Sequence, residues 1–526
     1  MTTRNSSGSE TPTAQDIMTV DKAAGSHLEA GQQVKNEATI GTPTTTTATE
    51  GHALQLGKEI EAILAENHTV VWKKDDKGNL LIKSSPGDPQ NPRSWPNWKR
   101  YSIVGLASLL NNLVCLCVSG YSTGVEQTQE ELGFGSELGT LGLSLYILGF
   151  AVVYLVSWTV FTIFQIPLAL AKNLATVLVC RFLQGLAGST PLANTGGVVH
   201  DLFGIDEGGL AVGIYALSSA DGPPLGNVLS GFLAQVQGWR WLFWAYLIIF
   251  GSFIIVIFFC MPETRDTIIT SRKSAQLRQQ TNLPFYGQHE LVKQAPGHFY
   301  KVTIVRPFKF LFTEPITYLC AGINGFAFGM IFLSNEAFPL IFGGGNGGHG
   351  WTHSGVVNLT YGAYVVGAII GFALTPLQDA RYHLACKRLG YSDPEARWWS
   401  ALWATPFMPI GLMIAAWTSY SFIPWIAPLI GFTFYVILAA ILNYVVDGYG
   451  HYSASALGGV VFVRNIVGAI FPLFARQMFV GMGNQWALFL LAMLSFFLIP
   501  IPFYLFYRGK HVRERSPYCA THFGQD

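Results

Sequence analysis

Residues 239–261 read WRWLFWAYLIIFGSFIIVIFFCM, and beyond Arg240 no charge interrupts the run. About 20 mostly apolar residues suffice to cross the ~30 Å hydrocarbon core of a bilayer as a helix. This stretch is therefore read as a membrane span. Nine further stretches have the same character: 101–120, 174–198, 210–236, 315–341, 355–377, 398–418, 422–446, 453–480 and 484–507. Buried core helices of a soluble protein do not come in this number with such short joins. The expected fold class is an all-α polytopic membrane protein. Composition agrees: of 526 residues, 50% are hydrophobic, 14% aromatic and only 12% charged, with a mean hydropathy of +0.35. A soluble surface needs roughly twice that charge. The 32 Lys+Arg and 31 Asp+Glu nearly cancel, which excludes a basic nucleic-acid binder. The seven cysteines form no CxxC, so neither a disulfide framework nor a zinc site is expected.

Residues 1–95 are of different material, polar and Thr-rich at Thr42–Thr49. They are expected to be a disordered tail, because they bury too little apolar surface to offset ordering entropy, unless the short run Thr69–Trp72 and the turn-rich Pro86–Pro96 fold back on the membrane domain. A transmembrane half then spans 96–261, a central loop 262–314, a second half 315–507, and a tail 508–526. Lys and Arg concentrate before the first span, in the central loop, in 379–397 and in the C-terminal tail, whereas 121–137 carries four Glu and no base. Basic short loops stay on the cytoplasmic side, so both termini and the central loop are expected there. The plasma membrane is the expected location.

That arrangement needs an even number of crossings before the central loop. Only four clear spans precede it, plus the uncharged segment Leu138–Leu170. At 1.5 Å per residue this segment would make a helix of ~50 Å, too long for one crossing. For two crossings it is too short, and it lacks a polar turn. Either it makes two short spans with a tight hairpin, or part of the chain is missing; the second is the better account.

Several motifs occur in order: GDPQNPRSWPNWKR (87–100), LVCRFLQGLAGS (178–189), GPPLG (222–226), GWRWLFW (238–244), PETR (262–265), PEAR (394–397), NYVVDGY (443–449) and FVRNIVGAIFPLFA (462–475). From about residue 86 onward the chain resembles the major facilitator superfamily. Within it, the chain is most similar to the fungal twelve-span drug:proton antiporters of the polyamine and cycloheximide-resistance type. The resemblance implies two pseudo-symmetric six-helix halves around a central substrate path, with GPPLG as the antiporter motif of the fifth helix. One departure stands out. The family's Gly/Asp/Arg-rich loop between the second and third helices is absent, because Leu148–Ala151 runs straight into Val152–Leu155. The first half is thus apparently truncated around 148–154, by loss of roughly one span's length.

Ionisable residues inside spans are functional candidates. Arg181 is expected either to alternate between a carboxylate and substrate, or to tether its helix to another helix's carbonyls. Asp221 lies in the fifth span; burial disfavours a charged carboxylate, so it is the candidate proton carrier, unless Ser218, Ser219 or a neighbouring helix satisfies it. Arg464 is a candidate counter-charge. Asn324 and Glu336, with Asn335, would line an entry path, or Glu336 would simply sit at the interface. Asn111 and Asn112 would face the cavity or bond another helix, and Asp447 reads as a loop anchor. Ser218, Gly222, Gly226 and Ser230 form a stripe of small residues, as do Ala363, Gly367 and Gly371 on the eighth helix. The resemblance implies that these two helices pack against each other across the interface between the halves. Pro223 and Pro224 remove backbone donors and kink the fifth helix into a hinge. Tyr215, Tyr361, Phe328 and Phe332 would line an apolar cavity or fill the core, and Trp239, Trp241, Trp398 and Trp399 would form an interfacial belt.

The expected activity is proton-coupled export of small, mostly hydrophobic organic compounds such as drugs, toxins or secondary metabolites, by alternating access. The alternative is a transport-inactive or receptor-like membrane protein, given the missing segment. No enzyme activity, metal site or cofactor is expected; the energy source would be a proton gradient. The expected partners are the lipid bilayer, a small-molecule substrate and protons, with neither nucleic acid nor an obligate protein partner.

Overall fold

The computed structural model describes residues 70–74, 80–84, 88–133, 154–203, 207–281, 283–287, 290, 305–343, 349–391, 393–419 and 428–519. The chain divides into two units, Met1–His68 and Thr69–Asp526, and all described residues fall in the second. They form an all-helical bundle with one small sheet. In chain order the elements are β1 (Val70–Lys74), β2 (Leu80–Ser84), α1 (Asn97–Gly120), α2 (Val125–Leu132), α3 (Tyr154–Ile163), α4 (Gln165–Ala169) and α5 (Leu174–Leu202). Next come α6 (Gly209–Gln237), α7 (Trp239–Cys260), α8 (Asp266–Thr281), β3 (Phe285–Gly287), α9 (Arg306–Thr313) and α10 (Pro315–Phe342). The rest are α11 (Ser354–Leu359), α12 (Gly362–Ala373), α13 (Thr375–Leu389), α14 (Trp399–Ala404), α15 (Phe407–Thr418), α16 (Pro428–Tyr449), α17 (Ser453–Met482), α18 (Asn484–Phe496) and α19 (Pro500–Glu514).

Each of the ten expected spans coincides with helix over its described residues. Among the described residues, seven helical stretches are long and apolar enough to cross a membrane by length and composition. The α5 and α6 helices, at 29 residues each, are long enough but richer in Gly, Ser and Thr. Local chemistry sets the ends. Asn173 caps α5 by accepting from the Thr176 amide at 2.8 Å, which satisfies a donor that the helix itself cannot. Two turns mark an internal likeness between the halves. Gly238 joins α6 to α7 and Gly483 joins α17 to α18, each at φ 83° with ψ of 166° and 155°. That backbone region is accessible essentially to glycine alone.

Contacts gather the loops at one end of the bundle. Arg93 donates to the His200 carbonyl, Arg100 to the Leu202 carbonyl and to Glu207, and Arg513 pairs bidentately with Glu395 at 2.7 and 2.5 Å. The entrance of α1, the α5–α6 turn, the link from α13 to α14 and the exit of α19 therefore lie together.

Three expectations need correction. The polar region read as disordered up to residue 95 contains β1 and β2, which pair antiparallel with Val70 opposite Ser84. The β2 strand also runs parallel to β3 of the central loop, so partners distant in sequence supply what the segment lacks locally. Just beyond, Asp88 is 2% exposed and takes a 2.7 Å ion pair from Lys273 of α8. Second, the last helix continues to Glu514, past the expected boundary at 507, since Arg513 is held by Glu395. Third, Trp239 and Trp398 are 4% and 0% exposed and belong to the packed interior, not to a lipid-facing belt. Trp239 donates to Glu131, and Trp398 packs on Tyr444. The expected truncation at 148–154 falls largely on residues outside the described ones; only the start of α3 is seen, and α3 and α4 occupy the end of the ambiguous segment. The buried Trp158 of α3 donates to the Phe250 carbonyl of α7 at 3.0 Å.

Candidate functional site

The half-to-half interface is built chiefly by α6 of the first half against α11, α12, α13 and α16 of the second. At the end where the loops gather, a Cβ on Gly209 would collide with the Asp379 carboxylate, and one on Gly213 would sit 3.0 Å from Thr375. Tyr435 of α16 hydrogen-bonds Thr375 at 2.7 Å and donates to the Gly213 carbonyl at 3.4 Å. Beside them Arg397 pairs with Asp379 and Asp447, each at 2.8 Å, over the Tyr382 ring. A cavity of about 230 Å³ opens there, lined by Thr375, Gln378, Asp379, Arg397, Tyr435 and Asn443 among others. At the opposite end, Asn227 of α6 donates to Asn335 of α10 at 2.7 Å, and Asn335 donates in turn to Ser119 of α1 at 3.4 Å. Gln235 accepts from the Gly355 amide at 2.8 Å. Contacts between the halves thus close above and below a middle layer.

The α6 and α12 helices pack against each other between the halves, but the stripe glycines Gly222, Gly226 and Gly371 face elsewhere. Cβ atoms on Gly222 and Gly226 would strike Cys115 and the Leu116 carbonyl of α1, and one on Gly371 would meet Tyr435 at 2.5 Å. Each of these glycines packs within its own half. The reason is rotational. Gly213, which faces the second half, and Ser218, which faces α1, are five residues apart, and five steps of ~100° separate them by ~140° around α6. Asn111 donates to Ser218 and Ser219 at 2.8 and 2.9 Å, and Asn112 to the Ser218 carbonyl at 3.2 Å. These amides fasten α1 to α6 at the level of Pro223 and Pro224, which the helix accommodates in its interior. Ser230 hydrogen-bonds Tyr246 of α7 at 2.5 Å. On α12, Gly367 is buried and Ala363 half-buried.

The bundle interior holds ionisable residues at more than one level, Asp221 and Arg464 between the two closing contacts and Arg181 at the level of Ser119. Arg181 of α5 is 0% exposed and donates to the carbonyls of Cys117 and Val118 and to Gln184, at 3.1–3.3 Å, with Tyr121 4.4 Å beneath it. It ties α5 to the end of α1. Asp221 is 8% exposed, so it does not look into lipid. Its Oδ1 has no hydrogen-bond partner among the described residues, and it lies within electrostatic reach of Tyr435. Arg464 of α17 is 0% exposed, 4.5 Å over the Phe328 ring and within electrostatic reach of Tyr215 and Cys115 in the first half. Neither amide atom of the buried Asn324 finds a partner among the described residues. Glu336 is half-buried near Tyr361, whose hydroxyl donates to the Ser334 carbonyl at 2.7 Å. Phe328 packs with Phe332 and Phe434 at ring separations of 4.9 and 6.1 Å. Asp447 is the loop anchor expected of it.

Sequence reasoning passed over Asn227, Thr375 and Tyr435, which join the halves, and the Glu395–Arg513 pair. A lone Asn or Tyr inside an apolar helix carries little signal until its partner is known. The PEAR motif was visible, but its partner, 118 residues away, was not.

A family model for the Major Facilitator Superfamily matches residues 146–472. The chain is 32% identical over 467 residues to the efflux pump FUBT of Fusarium oxysporum, covering 84% of this chain and 77% of that one. It is 34% identical over 472 residues to the ascochitine biosynthesis cluster MFS transporter of Didymella fabae, covering 85% and 90%. It is 31% identical over 461 residues to the major facilitator superfamily multidrug transporter mdrA of Aspergillus fumigatus, covering 82% and 75%. In each case the matched length exceeds the share of this chain that it takes in. Within these matches the relatives therefore carry about 25–30 positions that this chain lacks, somewhat more than the ~20 residues of one membrane span.

Proposed function

Because this chain belongs to the Major Facilitator Superfamily, a family of transporters and not of enzymes, we propose that it exports small organic compounds in exchange for protons by alternating access. The observation that carries the reading is the placement of Asp221 and Arg464, two buried ionisable groups of opposite sign contributed by opposite halves, in a layer that inter-half contacts close on both sides. A ligand shifts a conformational equilibrium only by its differential affinity for the two states. Proton exchange at Asp221 and cargo in the layer supply such a difference, because each changes the charge that closure must bury. Arg181 supports the scheme by holding α5 to α1. The GPPLG segment serves as the joint about which α6 bends. The end that gathers Arg93, Arg100, Arg397 and Arg513 faces the cytoplasm, and the membrane is the plasma membrane. No cofactor, metal or obligate protein partner takes part.

The relatives' names as efflux pumps and a multidrug transporter support export as the direction. The test is efflux of a compound panel from cells with and without an uncoupler. Efflux is expected to collapse with the proton gradient, and Asp221→Asn or Arg181→Ala is expected to abolish it while the protein stays in the membrane. Wild-type efflux indifferent to the gradient overturns the coupling. A second reading, a transport-inactive protein, is favoured by the positions missing relative to the relatives. Sequencing the transcript across codons 148–154 decides which chain the cell makes.

A further inference from the structure

We infer, building on the export reading, that the cargo is an organic monoanion, a carboxylate or its equivalent on an apolar body, and that Arg464 is its anchor. Four arginines are buried among the described residues: Arg181, Arg397, Arg464 and Arg513. The other three have partners. Arg181 has backbone carbonyls, Arg397 has two aspartates, and Arg513 has Glu395. Arg464 differs: Nε, Nη1 and Nη2 all lack a hydrogen-bond partner among the described residues. A buried charge is costly unless it is paired, so a protein that keeps one unpaired in its interior is prepared for a charge that arrives from outside.

The surroundings narrow what arrives. The guanidinium offers donors in a planar fork that matches a carboxylate bidentately. One guanidinium balances one negative charge, which disfavours a dianion, and a cation would be repelled. The Phe328 ring lies 4.5 Å below it, flanked by Phe332 and Phe434, and offers an apolar bed to the rest of the molecule. Asn324, one helical turn from Phe328, keeps both amide atoms open, and so does Asn465 its Oδ1. These can serve a hydroxyl or carbonyl on the cargo. The guanidinium also lies within electrostatic reach of Tyr215 from the other half, so an occupant that changes its charge is felt by both halves.

The test uses the purified full chain in nanodiscs and three probes of one shape: 1-naphthoate, methyl 1-naphthoate and 1-naphthylmethylammonium. Equilibrium binding is expected to favour the acid over the ester by about tenfold or more, with the cation weakest, as expected for a charge-assisted bidentate pair. Arg464→Gln is expected to bring the acid down to the ester's level, and Arg464→Lys to keep part of the preference. An ester or cation that binds the wild type as well as the acid, or an acid that does not bind at millimolar concentration, overturns the inference. The wild-type comparison stands even if the variants fail to fold. The two readings fail separately. Efflux of all three probes without preference for the acid removes the anion inference and leaves export. Acid-selective binding by a chain that moves none of them across a vesicle membrane removes export and leaves the anchor.

Discussion

Gly226 and Gly105 are both helical glycines, yet their surroundings predict opposite responses. A Cβ at Gly226 would run into the Leu116 carbonyl, whereas one at Gly105 meets nothing within 4 Å. Gly226→Ala is expected to cost about 1–3 kcal/mol through overpacking. Gly105→Ala is expected to stabilise by up to ~1 kcal/mol through helix propensity. Thermal unfolding of the two variants in detergent compares them directly. Equal shifts would show that the α1–α6 contact is looser than described. Asp393, outside the spans, gives a second prediction at this scale. Burial, reinforced by Glu395 beside it and opposed by Arg513, pushes its carboxyl up from 3.8 to about 6. The folded chain then holds this proton more tightly than the unfolded one. Its contribution to stability is largest below 3.8, falls as pH rises towards about 6, and stays low above that. Hydrogen exchange over residues 512–519, expressed as protection factors so that the base catalysis of exchange itself cancels, should show more protection near pH ~5 than near pH ~7.5, and Asp393→Asn should flatten the difference.

At the scale of elements, α6 is a two-faced helix. One face carries Ser218, Gly222 and Gly226 to α1, and another carries Gly213, Asn227 and Gln235 to the second half. The Ser119–Asn335–Asn227 chain closes the end away from the loops. A buried side-chain hydrogen bond is worth on the order of 1 kcal/mol net, so Asn335→Ala is expected to shift the population towards opening at that end by about fivefold. Thiol labelling of a cysteine placed at the half-buried Val228, beside the hydrogen-bond chain but outside it, should accelerate correspondingly in the variant; an unchanged rate would mean that the pair does not hold that end. The stripe of glycines and serines was readable as close packing, because small residues every four positions must admit a neighbouring backbone. Its neighbour was not readable. Periodicity gives an angle about a helix's own axis and says nothing of which helix stands there.

For the molecule as a whole, the parity of crossings calls for one more span before the central loop, and the relatives' matched length exceeds this chain's share of it. Inserting the corresponding segment of the Fusarium relative between Gly149 and Tyr154 is expected to raise efflux severalfold over the present chain, measured in the same cells at equal membrane abundance. No gain would assign the shortfall to some other part of the protein. The sheet is the other feature of this scale. The β1 and β2 strands reach the central loop through β3 and the Asp88–Lys273 pair, and so strap the approach to the first half onto the link between halves.

The chain's own residues determined the membrane setting, the place of each described span, the family, and the identity of its rare interior charges. All of these are local quantities: apolar runs, motif order, and a charge where lipid-facing residues should be neutral. The fate of those charges was decided by tertiary structure alone. Arg181 and Arg464 look alike in the sequence, each a single guanidinium inside an apolar helix. One reaches two carbonyls near the end of α1 and donates to both. The other lies over an aromatic ring between the halves with its donors open. The difference lies in what the facing helix presents within hydrogen-bond distance, and packing of segments hundreds of residues apart sets that.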